Sequence, residues 1–255
     1  MAAVLVLGLV PGCSSDAPDD PDDPDHADSS RTLPPDEELA SYFGAVASYD
    51  PDRLEAAEEI AADGSQAQGY AAYLGEFAAS AIAAGQPVEP AEAEEVDGGF
   101  KACGGTGTAD ECVTWSDLEG EDGKLADFSV SGTELDDSLV DLTAQPPIES
   151  EGLYTVQPEH AYRSPQSGSL FVLVTVTAGD VPLAPRPGIY VEQDTILDGV
   201  ETRSPGTIDA GSSSPVILAF PDAQDAALDG QVTFDLGVGD AETESIGFGL
   251  AAPAA

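Results

Sequence analysis

The stretch Leu170-Phe-Val-Leu-Val-Thr-Val-Thr177 decides the predicted fold of the second half of the chain. Branched and aromatic residues fill it, and such side chains pack well on a pleated, half-buried surface. We therefore predict a central β-strand. Further short β-type runs lie on both sides, separated by Gly, Pro and Ser, and this spacing is typical of a β-sandwich of about 100 residues. These runs are Leu153–Gln157, Ile189–Gln193, Val216–Phe220, Gln231–Leu236 and Ser245–Leu250.

A domain boundary is predicted at Gln145-Pro146-Pro147, so that the sandwich covers residues 146–255. Three segments carry a resemblance: Ser169-Leu-Phe-Val-Leu-Val-Thr-Val-Thr-Ala-Gly-Asp180, Asp209-Ala-Gly211 and Val216-Ile-Leu-Ala-Phe-Pro221. They are similar to the immunoglobulin-like domains of secreted bacterial lipoproteins. This resemblance implies an all-β C-terminal immunoglobulin-like sandwich.

Upstream of the boundary, from Asp36 onward, apolar residues recur at helical spacing. Asp50-Pro51 supplies an N-cap and a first-turn proline for a second helix, and Ser65 caps a third. The apolar stripe of the third helix comprises Tyr70, Tyr73, Leu74, Phe77, Ala81 and Ile82. Its aromatic residues fit a ligand-binding stripe, but helical spacing favours core packing.

A β-hairpin follows the helices. Val113 and Trp115 alternate on one strand, Phe128 and Val130 on the next, and Asp122-Gly123 has the chemistry of a tight turn.

Three helices followed by Val113-Thr-Trp-Ser-Asp-Leu118, Gly123-Lys-Leu-Ala-Asp-Phe128 and Ser129-Val-Ser-Gly132 resemble the nuclear transport factor two-like fold of actinobacterial lipoproteins. The resemblance covers residues 36–145. It implies an α+β N-terminal domain in which helices lie on a curved antiparallel sheet. It also implies a pocket, for which the expected lining is Tyr70, Tyr73, Phe77, Trp115 and Phe128.

The charge balance limits the classes of partner. There are 49 acidic residues against 7 basic ones, a formal net charge of −42. Such a surface repels phosphate backbones, so nucleic acid is excluded as an expected partner. The chain is nevertheless 42% hydrophobic, which is enough to build cores.

The first residues predict export and a lipid anchor. Ala2–Val10 is an apolar run too short to span a bilayer as a helix, and its length suits a secretion signal. Val10-Pro11-Gly12-Cys13 resembles the lipobox of bacterial lipoproteins. The resemblance implies a signal peptide over residues 1–12, a lipid on Cys13, and a location on the extracytoplasmic face of the cell membrane. Residues 13–35 then form an acidic Asp/Pro linker, which stays extended because prolines lack donors and like charges repel.

Two further cysteines, Cys103 and Cys112, lie close together in the sequence. Outside the cytoplasm such a pair is expected to form a disulfide. The alternatives are a zinc site, which requires four ligands, and a redox dithiol, which normally has a two-residue gap.

The remaining candidates for chemistry are few. His160 falls near the first sandwich strand and is expected to be a surface or hydrogen-bonded residue. Asp222, Asp225 and Asp229 are expected to be solvated loop charges, with a cation site as the alternative. No cofactor or metal is expected.

The functional expectation is a non-enzymatic, membrane-anchored binding module for an envelope protein, an extracellular protein or a cell-wall polymer. The alternative is a small-ligand-binding or hydrolytic protein that uses the pocket of the N-terminal domain.

Overall fold

The computed structural model describes residues 31–104, 112–193, 195–203, 206–239 and 242–251. The predicted signal peptide, Cys13 and the linker up to residue 30 lie outside the described residues. Within the described ranges, no helix combines the length and the apolar character needed to cross a bilayer.

Three helices open the described chain: α1 (Asp36–Ser48), α2 (Pro51–Glu58) and α3 (Gln66–Ala83). The side chain of Asp50 accepts hydrogen bonds from the first turn of α2, and Ser65 caps α3 through the Gln68 N–H. Both caps confirm the predicted helix starts, because they satisfy N–H groups that have no partner inside the helix.

A five-stranded antiparallel sheet follows, with its strands in sequence order. It consists of β1 (Ala93–Val96), β2 (Gly99–Cys103), β3 (Cys112–Glu121), β4 (Lys124–Val130) and β5 (Thr133–Glu134). The turn between β3 and β4 is Asp122-Gly123, and both residues have positive φ, as the hairpin prediction requires.

The second half of the chain contributes two further antiparallel sheets. One contains β12 (Val200–Arg203), β13 (Ser213–Phe220), β9 (Leu170–Ala178), β8 (Tyr154–Arg163) and β6 (Leu139–Asp141) in that spatial order, and β7 (Ile148–Ser150) also pairs with β8. The other has the order β11 (Thr195–Asp198), β10 (Leu183–Glu192), β14 (Gln231–Val238) and β15 (Glu242–Gly249). We call them the six-stranded and the four-stranded sheet.

These two sheets pack face to face around one apolar core. Val172, Val174 and Leu218 of the six-stranded sheet meet Tyr190 and Phe234 of the four-stranded sheet there. Every run predicted as a strand of the sandwich overlaps a strand of these two sheets. The predicted β-sandwich in the second half of the chain is therefore confirmed, and the described chain consists mostly of antiparallel sheets.

A second core lies on the other face of the six-stranded sheet. The helices and the five-stranded sheet contribute most of it, but Tyr162, Leu173 and Ile217 of the six-stranded sheet belong to it as well. The Ser80 hydroxyl of α3 donates to the carbonyl oxygen of Pro215, 3.3 Å away, across this contact. Helix α3 thus packs directly on the outer face of the sandwich.

Two details differ from the sequence-based expectation or extend it. Ile82, predicted to lie on the apolar stripe of α3, is 52% exposed because it lies in the last turn on the solvent side. Strand β6 precedes Gln145-Pro146-Pro147 in the chain yet pairs with β8, so hydrogen bonds connect the segments on the two sides of that tripeptide.

Candidate functional site

A cavity of about 380 Å³ lies where α1, α3 and β3 meet the outer face of the six-stranded sheet. Its lining is Val46, Ala47, Tyr49, Tyr70, Tyr73, Leu74, Phe77, Ala91, Ala102, Gly104, Cys112, Val113, Trp115, Tyr162, Ser164, Gln166, Ser167, Ser169 and Phe171. Clefts of roughly 300–1,000 Å³ are typical of small-molecule sites.

The inner wall of the cavity is aromatic and buried. Helical spacing places Tyr70, Tyr73 and Phe77 on one face of α3. The ring of Tyr162, from β8, packs on this face with centroid distances of 5.5 Å to Tyr70 and 4.9 Å to Tyr73. Trp115 of β3 closes the other side and is only 3% exposed. Because the rings support one another, the wall is a rigid apolar surface.

The mouth of the cavity is polar and is formed by the loop between β8 and β9. Gln166 and Ser167 are exposed there, whereas Ser164 is buried. The Ser164 hydroxyl donates to Gln166 Oε1 at 3.0 Å, and Gln166 Nε2 donates to the Ser131 hydroxyl at 2.9 Å. These bonds hold the loop against the β4–β5 turn.

Four of the five predicted pocket residues line this cavity: Tyr70, Tyr73, Phe77 and Trp115. Phe128 instead lies in the core, with its ring 5.3 Å from that of Phe43 and 5.5 Å from that of Tyr70. The helical stripe is therefore both core and cavity wall.

No charged side chain belongs to the lining within the described residues. Burial raises the pKa of Tyr70 and of Tyr162 above the usual tyrosine range, so both hydroxyls stay neutral and protonated. The indole Nε1 of Trp115 is buried and has no hydrogen bond of normal geometry to any described residue. It does lie near enough to the Tyr70 hydroxyl to lower the pKa of Tyr70 slightly, against the larger effect of burial.

The predicted disulfide between Cys103 and Cys112 is confirmed. The two residues stand opposite each other in the β2–β3 ladder, with Cα atoms 4.1 Å apart. Cys112 borders the cavity beside Gly104. In the chain-entropy account, closing so short a loop stabilises the fold by roughly 2–3 kcal/mol.

His160 lies outside the cavity lining. It is 4% exposed on β8, and its Nδ1 is 3.4 Å from Glu76 Oε2 of α3. It thus makes the hydrogen-bonding contact expected of it at the junction between α3 and the sheet. Burial raises the pKa of the neighbouring Glu159. Across the described ranges, no three His, Cys, Asp or Glu side chains are grouped so as to hold a metal ion, the loop with Asp222, Asp225 and Asp229 included.

The sequence-based reasoning missed the part of the site that comes from the second half of the chain. Tyr162, Ser164, Ser169 and Phe171 line the cavity from β8, β9 and their connecting loop. One signal was present: Phe171 and Leu173 are apolar on the same face of β9, as are Leu170 and Val172 on the other. An apolar run of this kind is typical of a strand buried on both faces.

Comparison with known proteins gives little further information. No family model and no curated protein matches the sequence. Among solved structures, the chain is similar to the GAE domain of the yeast protein GGA1, with 10% sequence identity over 42% of this chain and 98% of that domain. The TM-score of this match is 0.27.

Proposed function

We propose that this chain is a lipid-anchored, extracytoplasmic binding protein that holds a small molecule in the aromatic cavity. The proposal rests on the properties of the cavity. It is large enough for a ligand, its wall consists of buried aromatic rings, and hydroxyl and amide groups border its mouth. The aromatic, hydroxyl and amide groups of its lining are suited to bind a ligand and to orient it. We therefore favour binding over hydrolysis, and the protein is proposed to be non-enzymatic.

The path of the linker supports a tethered arrangement. The N–H of Gly123, at the β3–β4 turn, donates to the carbonyl oxygen of Thr32 at 3.1 Å. Cys112, beside the cavity, lies at the opposite end of β3. A ten-residue strand is about 30 Å long, so the linker joins the fold far from this part of the cavity. A tether on that side leaves the cavity accessible from the exterior.

The finer fold assignments belong to the same proposal. They are a nuclear transport factor two-like arrangement for residues 36–145 and an immunoglobulin-like arrangement for the sandwich. The helices packed on an antiparallel sheet support the first, and the two packed antiparallel sheets support the second.

The ligand-binding part of the proposal can be tested by titration with 3-phenylpropan-1-ol. Trp115 is the sole tryptophan of the chain and lines the cavity, so its fluorescence reports occupancy directly. We expect a saturable change in its emission. Ser169→Phe, which places a ring in the cavity, is expected to weaken binding roughly tenfold or more, since overfilling forces side chains to move. Thr177→Phe serves as the control, because Thr177 is on the same face of β9 as Phe171 but outside the lining. Equal affinities of both variants would contradict the assigned site.

The anchor can be tested by mass spectrometry of the protein from the membrane fraction. We expect a mature N-terminus at residue 13 that carries a diacylglycerol mass, and release of the Cys13→Ser variant from the membrane. An N-terminus elsewhere, or a Cys13→Ser variant that stays membrane-bound, would contradict lipid anchoring.

A second candidate function, docking of an envelope or extracellular protein, is favoured by one exposed surface. Ile189 and Ile196 lie on neighbouring strands β10 and β11, and Ile196 is 66% exposed. Exposed apolar patches of this kind often mark protein-binding sites. Capture of one envelope protein by the wild type but not by Ile196→Asp would favour this candidate.

A further inference from the structure

We infer that the cavity selects an uncharged amphipathic molecule, whose apolar part lies against Tyr73, Phe77 and Phe171 and whose hydroxyl or carbonyl group meets the Ser169 side chain. This inference rests on the proposed binding function and adds the chemical class and the orientation of the ligand. The cavity is accordingly divided into an aromatic interior and a hydroxyl-bearing end.

The alternation of strand β9 produces this division. Residues two apart in a strand share a face. Leu173 belongs to the core beneath the helices, and Phe171 packs edge-on against Phe77 with a centroid distance of 5.6 Å. Ser169 lies directly before β9, two residues before Phe171, and both residues line the cavity. A hydroxyl group thus follows the aromatic surface directly, at the end of β9 where the cavity opens.

The hydroxyl of Ser169 is available to a ligand. The main chain of Ser169 is held, because its carbonyl accepts from Ser164 N and its N–H donates to the Ser167 hydroxyl. The side-chain hydroxyl itself makes no hydrogen bond to another described residue. The nearby Ser164 hydroxyl is already donated to Gln166. Ser169 is therefore a fixed polar group that retains both its donor and its acceptor capacity.

The absence of charge from the described lining sets the class of ligand. An ion that enters the cavity loses its hydration, and no opposite charge is present in the described lining to compensate for that loss. The formal net charge of −42 repels anions further, and salt weakens the attraction that the exposed carboxylates exert on cations. Aromatic faces attract cations, but the rings of Tyr70, Tyr73 and Tyr162 pack largely against one another. A neutral ligand is therefore favoured.

A set of matched probes tests both parts of the inference by isothermal titration calorimetry on the mature protein. The probes are 3-phenylpropan-1-ol, propylbenzene, 3-phenylpropylammonium and 3-phenylpropanoate, which share one apolar part. We expect the alcohol to bind roughly tenfold or more tightly than either ion. Ser169→Ala is expected to lower the affinity for the alcohol, relative to propylbenzene, by roughly threefold to tenfold. Thr177→Val, which removes a hydroxyl outside the lining, is the control and should leave this ratio unchanged.

The outcomes separate the inference from the proposed function. If no probe binds the wild type, the proposed function fails and the inference fails with it. If the probes bind but the ammonium ion binds as tightly as the alcohol, the assigned ligand class is wrong while binding stands. If the alcohol-to-propylbenzene ratio is the same in Ser169→Ala and the wild type, the assigned orientation is wrong.

Discussion

Replacing Phe43 with alanine is expected to lower the free energy of unfolding by about 3–5 kcal/mol. Phe43 is fully buried on α1, and three aromatic rings of the five-stranded sheet surround it. Its centroid is 4.6 Å from Phe100, 5.5 Å from Trp115 and 5.3 Å from Phe128. The substitution removes apolar contact on every side and leaves a cavity that the sheet and the helices are unable to close fully.

Urea unfolding measures this loss, followed by Trp115 fluorescence and by far-ultraviolet circular dichroism. Ile82→Ala is a matched control, because Ile82 is a large apolar residue of α3 that is exposed, and its truncation should cost no more than about 0.5 kcal/mol. A loss below about 1 kcal/mol for Phe43→Ala would show that the helices do not pack on the sheet through this residue.

Local features of the fold were predictable because their physical causes are local. The N-caps at Asp50 and Ser65 need only a side-chain oxygen and the next turn of backbone. The Asp122-Gly123 turn needs only two residues that tolerate positive φ. Likewise, the stripe of Tyr70 and Tyr73 follows from the helical repeat, and the structure buries both.

The cavity was only half predictable, because its second wall comes from a distant part of the chain. The helical spacing identifies Tyr70 as a candidate, and Trp115 lies on a predicted strand. Neither pattern indicates which other surface of the protein packs against these two residues. The partner surface is the outer face of the six-stranded sheet, to which Tyr162 belongs. Pairing of this kind depends on how the two halves of the chain dock. Phe128 illustrates the same limit, since its strand position predicts burial without distinguishing core from cavity.

The amino-acid composition also did not predict which residues line the cavity. The 49 acidic residues dominate every property of the sequence that depends on charge, yet none of them lines the cavity within the described residues. Carboxylates are costly to bury without a partner, and only 7 basic residues are present to pair with them. The acidic groups are therefore concentrated on the surface. The net charge consequently describes solubility and long-range repulsion, whereas the buried aromatic residues determine what the protein can bind.

Replacing Gly99 with alanine is expected to lower the free energy of unfolding by about 3 kcal/mol. Gly99 lies in β2 opposite Ser116 of β3, and a methyl group on it would overlap the carbonyl oxygen of Trp115. Since the obstacle is backbone rather than a flexible side chain, relief requires the two strands to separate and to weaken their hydrogen bonds. The same movement would displace Trp115 from the cavity wall.

A second glycine provides the matched control for this prediction. Gly75 lies within α3, where a methyl group would make ordinary contact with Leu54 Cβ at 3.7 Å. Gly75→Ala is therefore expected to raise the free energy of unfolding by roughly 0.5–1 kcal/mol, because alanine restricts the unfolded chain and favours the helix. Urea unfolding of both variants checks the pair. If Gly99→Ala were as stable as the wild type, β2 and β3 would not approach each other at Trp115 as closely as the structure shows. The position of Trp115 in the cavity wall would then be wrong.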